Sequence, residues 1–322
     1  MKGTYDILVK APRTEYKLTV RRNITIIKGN SATGKTRLVE VLRQSKNDKD
    51  IVVKCERACV VIAEDDDLWK ERIKMLRDSI IFIDEGADWT SSPEFAECVK
   101  GSSNYFVIIT RVNLKNLPYS IHEVYGLREN GKYSTLKMVY NEMYHIYPDT
   151  DAGKTKEIHP DTVVTEDRKS GYQFFKHICD ELGIVCESAD GASNIEKMMN
   201  YKKEGVTLFI ADGAAFGAYM EDAVSRLRFS GNRSRLYLPE SFEWIILKSG
   251  VIKTPQARKA VEDTSNQVDS EMFMSWERFF ASTLISETRG SSLEYSKSRL
   301  NEAYTVGKIR KSILSVMSDI GW

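Results

Sequence analysis

Short apolar runs alternate with segments patterned every three or four residues along the first 147 positions. Residues 5–10 are apolar at 7–9, and Ala11-Pro12-Arg13-Thr14 reads as a turn. Positions 16–20 then alternate, and the run 24–27 follows, so the chain opens on strands. A helix is predicted from near Gly34 to about Gln44. One strand, 59–63, is expected next. It ends in the acidic run Glu64-Asp65-Asp66-Asp67, placed as a helix start before 68–76. The run 79–83 is too apolar for a half-exposed strand and fits the centre of a parallel sheet. A helix near 92–100 and a second such strand, 105–109, continue the alternation. The stretch 121–142 reads as a closing hairpin with its turn at 129–132. Strands alternating with helices predict a three-layer α/β domain.

Residues 148–160 are polar, aperiodic and bracketed by Pro148 and Pro160. They divide a first domain, 1–147, from a second α/β series, 161–254. The expected strands there are 162–165, 184–186 and 206–210, with helices near 170–182, 193–202 and 215–227. From 255 to 322 the pattern is helical. The stripe Met272, Phe273, Met274, Trp276, Phe279, Phe280 reads as core, and Lys297, Arg299, Lys308, Arg310 and Lys311 as a basic group. Positions 297, 308 and 311 would share a helix face. That face is solvated or meets a phosphate backbone.

Composition adds exclusions. At 322 residues the chain has room for about two domains. With 42% hydrophobic and 29% charged residues it is an ordinary folded chain. No apolar run approaches the roughly 18 residues of a membrane helix, and the start lacks an apolar leader, so no membrane partner and a cytoplasmic location are expected. A net charge of +1 offers no bulk attraction for nucleic acid. Cys55, Cys59, Cys98, Cys179 and Cys186 are scattered and read as reduced thiols. His122, His145, His159 and His177 form no spaced ligand set.

Candidate chemistry begins at Gly29-Asn30-Ser31-Ala32-Thr33-Gly34-Lys35-Thr36, a full G-x-x-x-x-G-K-[ST] match between a predicted strand and a predicted helix. The glycines let backbone N–H groups turn toward phosphate oxygens, and the helix start adds positive potential. Lys35 would reach the β- and γ-phosphates, and Thr36 would ligate Mg²⁺. Asp84 and Glu85 end the apolar strand 79–83, where Asp84 would orient the ion's water and Glu85 polarise an attacking water. Thr110 and Arg111 end the third strand as candidate γ-phosphate sensors, with a structural arginine at a loop start as the alternative reading.

Over about residues 15–112 the chain resembles the P-loop NTPase superfamily. The opening strands look like the front of an ABC-type ATPase, but no LSGGQ-like stretch follows. The short interval looks closer to AAA-like or STAND-like ATPases. The resemblance implies ATP with Mg²⁺, and a homo-oligomer or a complex with a partner protein that completes the site.

In the second series, Glu166-Asp167 and Asp212-Gly213 follow predicted strands, and 188–194 forms a Gly-containing turn between them. Carboxyl ends of parallel strands share one rim, so Glu166 and Asp212 would converge on Mg²⁺ or Mn²⁺. This order resembles the Toprim fold, and Leu238-Pro239-Glu240-Ser241-Phe242-Glu243-Trp244 looks like the acidic helix start of overcoming-lysogenization-defect (OLD) nucleases. OLD proteins and the Gabija ATPase-nuclease carry an ATPase followed by a Toprim nuclease. The family pattern at the third strand is Asp-x-Asp, whereas this chain has Asp212-Gly213-Ala214. Glu240, Glu243 or Asp222 would supply the missing ligand.

The resemblance implies an ATP-regulated nuclease cutting DNA or RNA, with catalysis by Glu85, Glu166 and Asp212, in antiphage defence. A nucleotide-dependent switch whose second half binds without cutting is the alternative. A small-molecule phosphotransferase is the third reading, and no cluster of lid arginines stands near the loop to support it.

Overall fold

The computed structural model describes residues 1–29, 34–131, 134–135, 138–147, 157–199, 205–229 and 233–322. The chain is mixed α/β and separates into two compact units, Met1–Pro148 with Ser265–Ser275, and Asp149–Thr264 with Trp276–Trp322. Most of 148–160 and the loop residues Asn30, Ser31, Ala32 and Thr33 lie outside the described residues.

The first unit contains β1 (Tyr5–Ala11), β2 (Thr14–Val20), β3 (Ile24–Ile27), α1 (Lys35–Gln44), β4 (Val52–Lys54) and β5 (Cys59–Ile62). There follow α2 (Trp69–Met75), β6 (Ile80–Ile83), α3 (Pro93–Val99), β7 (Tyr105–Ile109), β8 (Val124–Glu129) and β9 (Val139–His145). They make a nine-stranded sheet in the order β4-β1-β2-β9-β8-β3-β7-β6-β5. From β8 through β3, β7 and β6 to β5 the neighbours are parallel. The β6 and β7 side chains are buried throughout, as continuous apolar runs require. Each large side chain buried this way contributes about 1.5–3 kcal/mol. Helix α1 buries Leu38, Val39, Val41 and Leu42.

Two strands, not one, lie between α1 and β6. Residues 52–54 cross to the other end of the sheet and pair with β1, so their partner is distant in sequence and no local pattern marks them. The hairpin of β8 and β9 is antiparallel and ends at His145, with a longer connection than a four-residue turn. The acidic run lies in the turn before α2, where Asp66 accepts from the Leu68 N–H and pairs with Arg72. The segment 265–275 joins this unit through the Gly3 N–H to Ser265 carbonyl bond (2.7 Å) and the Asn23 amide to the Met274 carbonyl (2.7 Å).

The second unit has β10 (Thr162–Thr165), α4 (Ser170–Leu182), β11 (Val185–Ser188), α5 (Ala192–Met198), β12 (Thr207–Ile210), α6 (Met220–Phe229) and β13 (Ser234–Tyr237). Helices α7 (Phe242–Lys248), α8 (Pro255–Glu262), α10 (Trp276–Thr288) and α11 (Gly307–Leu314) follow, with α9 (Thr264–Gln267) at the passage between units. The sheet is parallel throughout, in the order β11-β10-β12-β13. Its fourth strand, Ser-Arg-Leu-Tyr, is too polar and short to stand out in the sequence.

Of the aromatic stripe, Trp276, Phe279 and Phe280 are buried but Met272 is exposed. The shared basic helix face does not form, because Lys297 lies in a loop while Lys308 and Lys311 sit on α11. All five cysteines are free thiols. Among the described residues no helix is long and apolar enough to cross a membrane.

Candidate functional site

In the first unit β3, β7 and β6 run parallel. Their carboxyl ends therefore deliver Gly29, Thr110 with Arg111, and Asp84 with Glu85 to one rim. Gly29 and Gly34 hold φ of +133° and +82°, a region closed to most side chains. A Cβ on Gly34 would also stand 3.3 Å from the Tyr16 hydroxyl. That hydroxyl donates to the Gly34 carbonyl at 3.0 Å, and burial pushes its pKa up to about 12, so it remains a donor. The loop thus enters α1 at a fixed point.

Lys35 is 4% exposed, and its ammonium donates to the Gly29 carbonyl at 2.8 Å. Burial pulls its pKa down; the Glu85 carboxylate counters this and Arg111 adds to it. Thr36, one residue on, is exposed. Burial raises the Asp84 carboxyl, while the Glu85 N–H, donating at 2.8 Å, steadies its charged form. Glu85 pairs with Arg111. Thr110 is buried and accepts from the Val112 N–H, which occupies its hydroxyl in shaping the turn. The rim joins a buried ammonium, a helix start and two carboxylates, the parts that hold a polyphosphate with a hard cation.

The second unit repeats this logic with carboxylates. Parallel β10 and β12 end at Glu166 and Asp212, and the Glu166 carboxylate accepts from the Asp212 N–H at 3.1 Å. The two predicted residues are brought together. Burial pushes Glu166 up to about 7, with the Asp212 N–H opposing the shift. Burial also raises Asp212 well above the carboxylate range, and Glu277, Glu166 and Glu243 push the same way. Glu243, on α7, accepts from the Tyr295 hydroxyl at 2.8 Å, and Ser170 at the start of α4 shares a short hydrogen bond with the same hydroxyl. Lys297 pairs with Glu277 and stands 3.8 Å from Glu243. Burial opposes its charge, but Glu243, Glu277 and Asp212 more than offset that and raise its pKa.

A cavity of about 40 Å³ opens here, lined by Glu166, Asp167, Lys169, Asp212, Glu243 and Lys297 among others. It has room for a small ion or one to three waters. Among the described residues, no three His, Cys, Asp or Glu side chains stand close enough to hold a metal ion.

Comparison with protein-family models, curated proteins and solved structures finds no match.

The geometry accordingly carries the reading. Glu240 does not line the cavity; its carbonyl accepts from the Ala214 N–H at 3.2 Å. Asp222 lies in the first turn of α6 and is likewise not among the lining residues. Gly213 and Ala214, after Asp212, are both packed against neighbouring parts of the chain. The Gly213 N–H donates to the Pro239 carbonyl at 2.6 Å, and a Cβ there would meet the Leu238 carbonyl oxygen at 2.5 Å. Ala214 is 2% exposed, so a carboxylate at 214 would be buried beside backbone.

Three members of this site, Glu277, Tyr295 and Lys297, escape a motif-based reading, since they lie more than a hundred residues from Glu166. One signal was available. Glu277 interrupts an aromatic stripe read as core, and a charge inside such a stripe is seldom buried unless paired.

Proposed function

We propose that the first unit binds ATP with Mg²⁺ and that the second unit is a metal-dependent nuclease of the Toprim-like kind, gated by nucleotide and acting in antiphage defence. The single observation that carries the nuclease half is the meeting of Glu166, Asp212, Glu243, Glu277 and Lys297 at the carboxyl rim of a parallel sheet. Glu166 and Asp212 are the pair that a hard divalent cation, Mg²⁺ or Mn²⁺, would join, and because no three described carboxylates stand close enough to hold one, water or substrate oxygens would complete its shell. Glu166 and Asp212 would hold it, with Glu243 oriented by Tyr295. The ion would supply Lewis-acid polarisation of a phosphoryl oxygen. Lys297 would neutralise charge developing on a phosphodiester, and Glu166, lifted to about 7 by burial, would lose its proton as the cation binds.

On the first unit's rim, Lys35 would clamp the phosphates, and Thr36 and Asp84 would hold Mg²⁺. Glu85 would orient water and Arg111 balance its charge. A homo-oligomer or a partner protein would complete this site.

The second reading is a nucleotide-dependent switch whose second unit binds nucleic acid or a partner without cutting. It is favoured by the buried Ala214 and by the lack of three converged ligands among the described residues.

The test incubates supercoiled plasmid, single-stranded DNA and RNA with Mg²⁺ or Mn²⁺, with and without ATP. Cleavage lost in Glu166→Ala and altered by ATP only while Lys35 is present supports the nuclease. ATP binding lost in Lys35→Ala with no cleavage by the native chain moves the assignment to the switch.

A further inference from the structure

A groove of about 700 Å³ opens between α2 and α3, in the first unit. Its walls carry Lys70, Lys74 and Arg77 on one side and Lys100 on the other, with Glu94 and Glu97 also on the α3 wall. Lys70 and Lys74, one helical turn apart, stand about 6 Å apart along the axis on one face of α2. Lys74, Arg77 and Lys100 are exposed. Arg77 folds back on the helix end, donating to the Lys74 and Leu76 carbonyls at 2.8 and 3.0 Å, which pins its guanidinium beside Lys74. Lys70 lies over the Trp69 ring at 5.3 Å, and Lys100 is 3.6 Å from Glu97. Across the groove, burial raises the Cys98 thiol while the Lys74 and Lys70 ammonium groups pull against it, so both cations act over the α3 wall.

The dimensions select among anionic occupants. The cations are spread along both walls rather than aimed at one point, so one phosphate would meet only a fraction of them. A chain of regularly spaced charges would meet all four. Lys70 and Lys74, about 6 Å apart along the helix, act together within a screening length of about 10 Å. The net charge of +1 makes such attraction local to this groove.

We infer that this groove binds a single strand of nucleic acid through its phosphates, without reading its sequence. The site is separate from the second unit's carboxylates and stands whether or not that unit cuts.

The experiment measures fluorescence anisotropy of a 5′-labelled 20-nucleotide oligothymidylate with the full chain, in chelator so that no cleavage occurs. Four phosphate contacts predict affinity falling about 50-fold between 50 and 200 mM salt, from a slope of about −0.7 per contact on single strands. The triple variant Lys70→Ala, Lys74→Ala, Arg77→Ala keeps one contact, so its affinity falls only about 3-fold over the same range. The control pair Lys46→Ala, Lys49→Ala, exposed near the end of α1, binds as the native chain does. Should the triple variant melt early, Lys74→Glu alone carries the test, losing more than tenfold at 50 mM salt. No binding by the native chain, or the same salt slope in the Lys74 variants, overturns the inference. So does polyglutamate binding more tightly than the oligonucleotide, because the groove is then a peptide site. Because binding is read without cleavage, failure here leaves the nuclease proposal standing, and the converse holds.

Discussion

Replacing Glu166 by Gln should stabilise the second unit at alkaline pH, the reverse of what deleting a half-buried charged residue usually does. Gln keeps an acceptor for the Asp212 N–H but cannot ionise. In the native chain burial lifts the Glu166 pKa from its ordinary 4.5 to about 7. The folded state therefore holds the proton more tightly than the unfolded chain. The stability this provides is complete below about pH 4.5 and is lost as pH rises through about 7. At about 1.36 kcal/mol per pH unit, the shift amounts to about 3 kcal/mol. For a domain of this size that is roughly 5–10 °C in melting temperature. Calorimetry in chelator, following the transition that responds to Glu166→Gln, is the assay. At pH 5 the native and Glu166→Gln transitions of the second unit should lie close together, and at pH 8 the variant should melt higher by that amount. Equal gaps at both pH values, or a variant less stable at pH 8, would refute a raised carboxyl at this position.

Three further outcomes follow from other contacts. Lys35→Ala should weaken binding of an ATP analogue by about 10–100-fold in calorimetric titration, the loss of a charge-assisted hydrogen bond of about 1.5–3 kcal/mol. Gly213→Ala should lower the second unit's melting transition by about 1–3 kcal/mol, because the new methyl meets the Leu238 carbonyl at 2.5 Å; an unchanged transition would show that this backbone yields. Glu123→Ala should cost the first unit about 3–5 kcal/mol in denaturant unfolding. Its fully buried carboxylate lies 2.8 Å from Arg21 Nε and 3.3 Å from Arg22 Nε, and Arg22 is itself buried.

The elements legible in the sequence are those whose burial is dictated locally. Residues 80–83 and 105–109 are covered on both faces, so a continuous apolar run marks them without knowledge of their neighbours. The positive-φ glycines and Lys35 are legible because a tight turn into a helix restricts which residues fit. β4 and β13 are not, since each is stabilised by a partner strand rather than by its own pattern. The second site divides in the same way. Glu166 and Asp212 follow from strand ends and parallel order, a rule that acts on adjacent strands. Lys297 shows the limit of that reasoning. In the sequence it belongs to a run of basic residues, and only the packing around Glu243 and Glu277 turns it toward the carboxylates. Gly213 is the reverse case: nothing in the local sequence pattern requires a glycine there, and the Leu238 and Pro239 carbonyls lying against it do.

The second unit's charge balance has a consequence for cation binding. Lys297 neutralises one carboxylate of the four, and burial lifts Glu166 to about 7 and moves Asp212 in the same direction. A cation entering the cavity must therefore expel a proton from Glu166 below about pH 7. Affinity for Mn²⁺ should then rise by about tenfold per pH unit below about pH 7 from this group and flatten above it. In Glu166→Gln that proton is not released, so this part of the rise should disappear. Titration of Mn²⁺ between pH 6 and 8 in two buffers of different ionisation enthalpy counts released protons directly. A pH-independent affinity would mean that the carboxyl groups are already ionised in the folded chain, and the charge balance drawn from their burial would be wrong. Proton release that persists unchanged in Glu166→Gln would place the titrating group elsewhere in the cluster, with the buried Asp212 the next carboxyl to test.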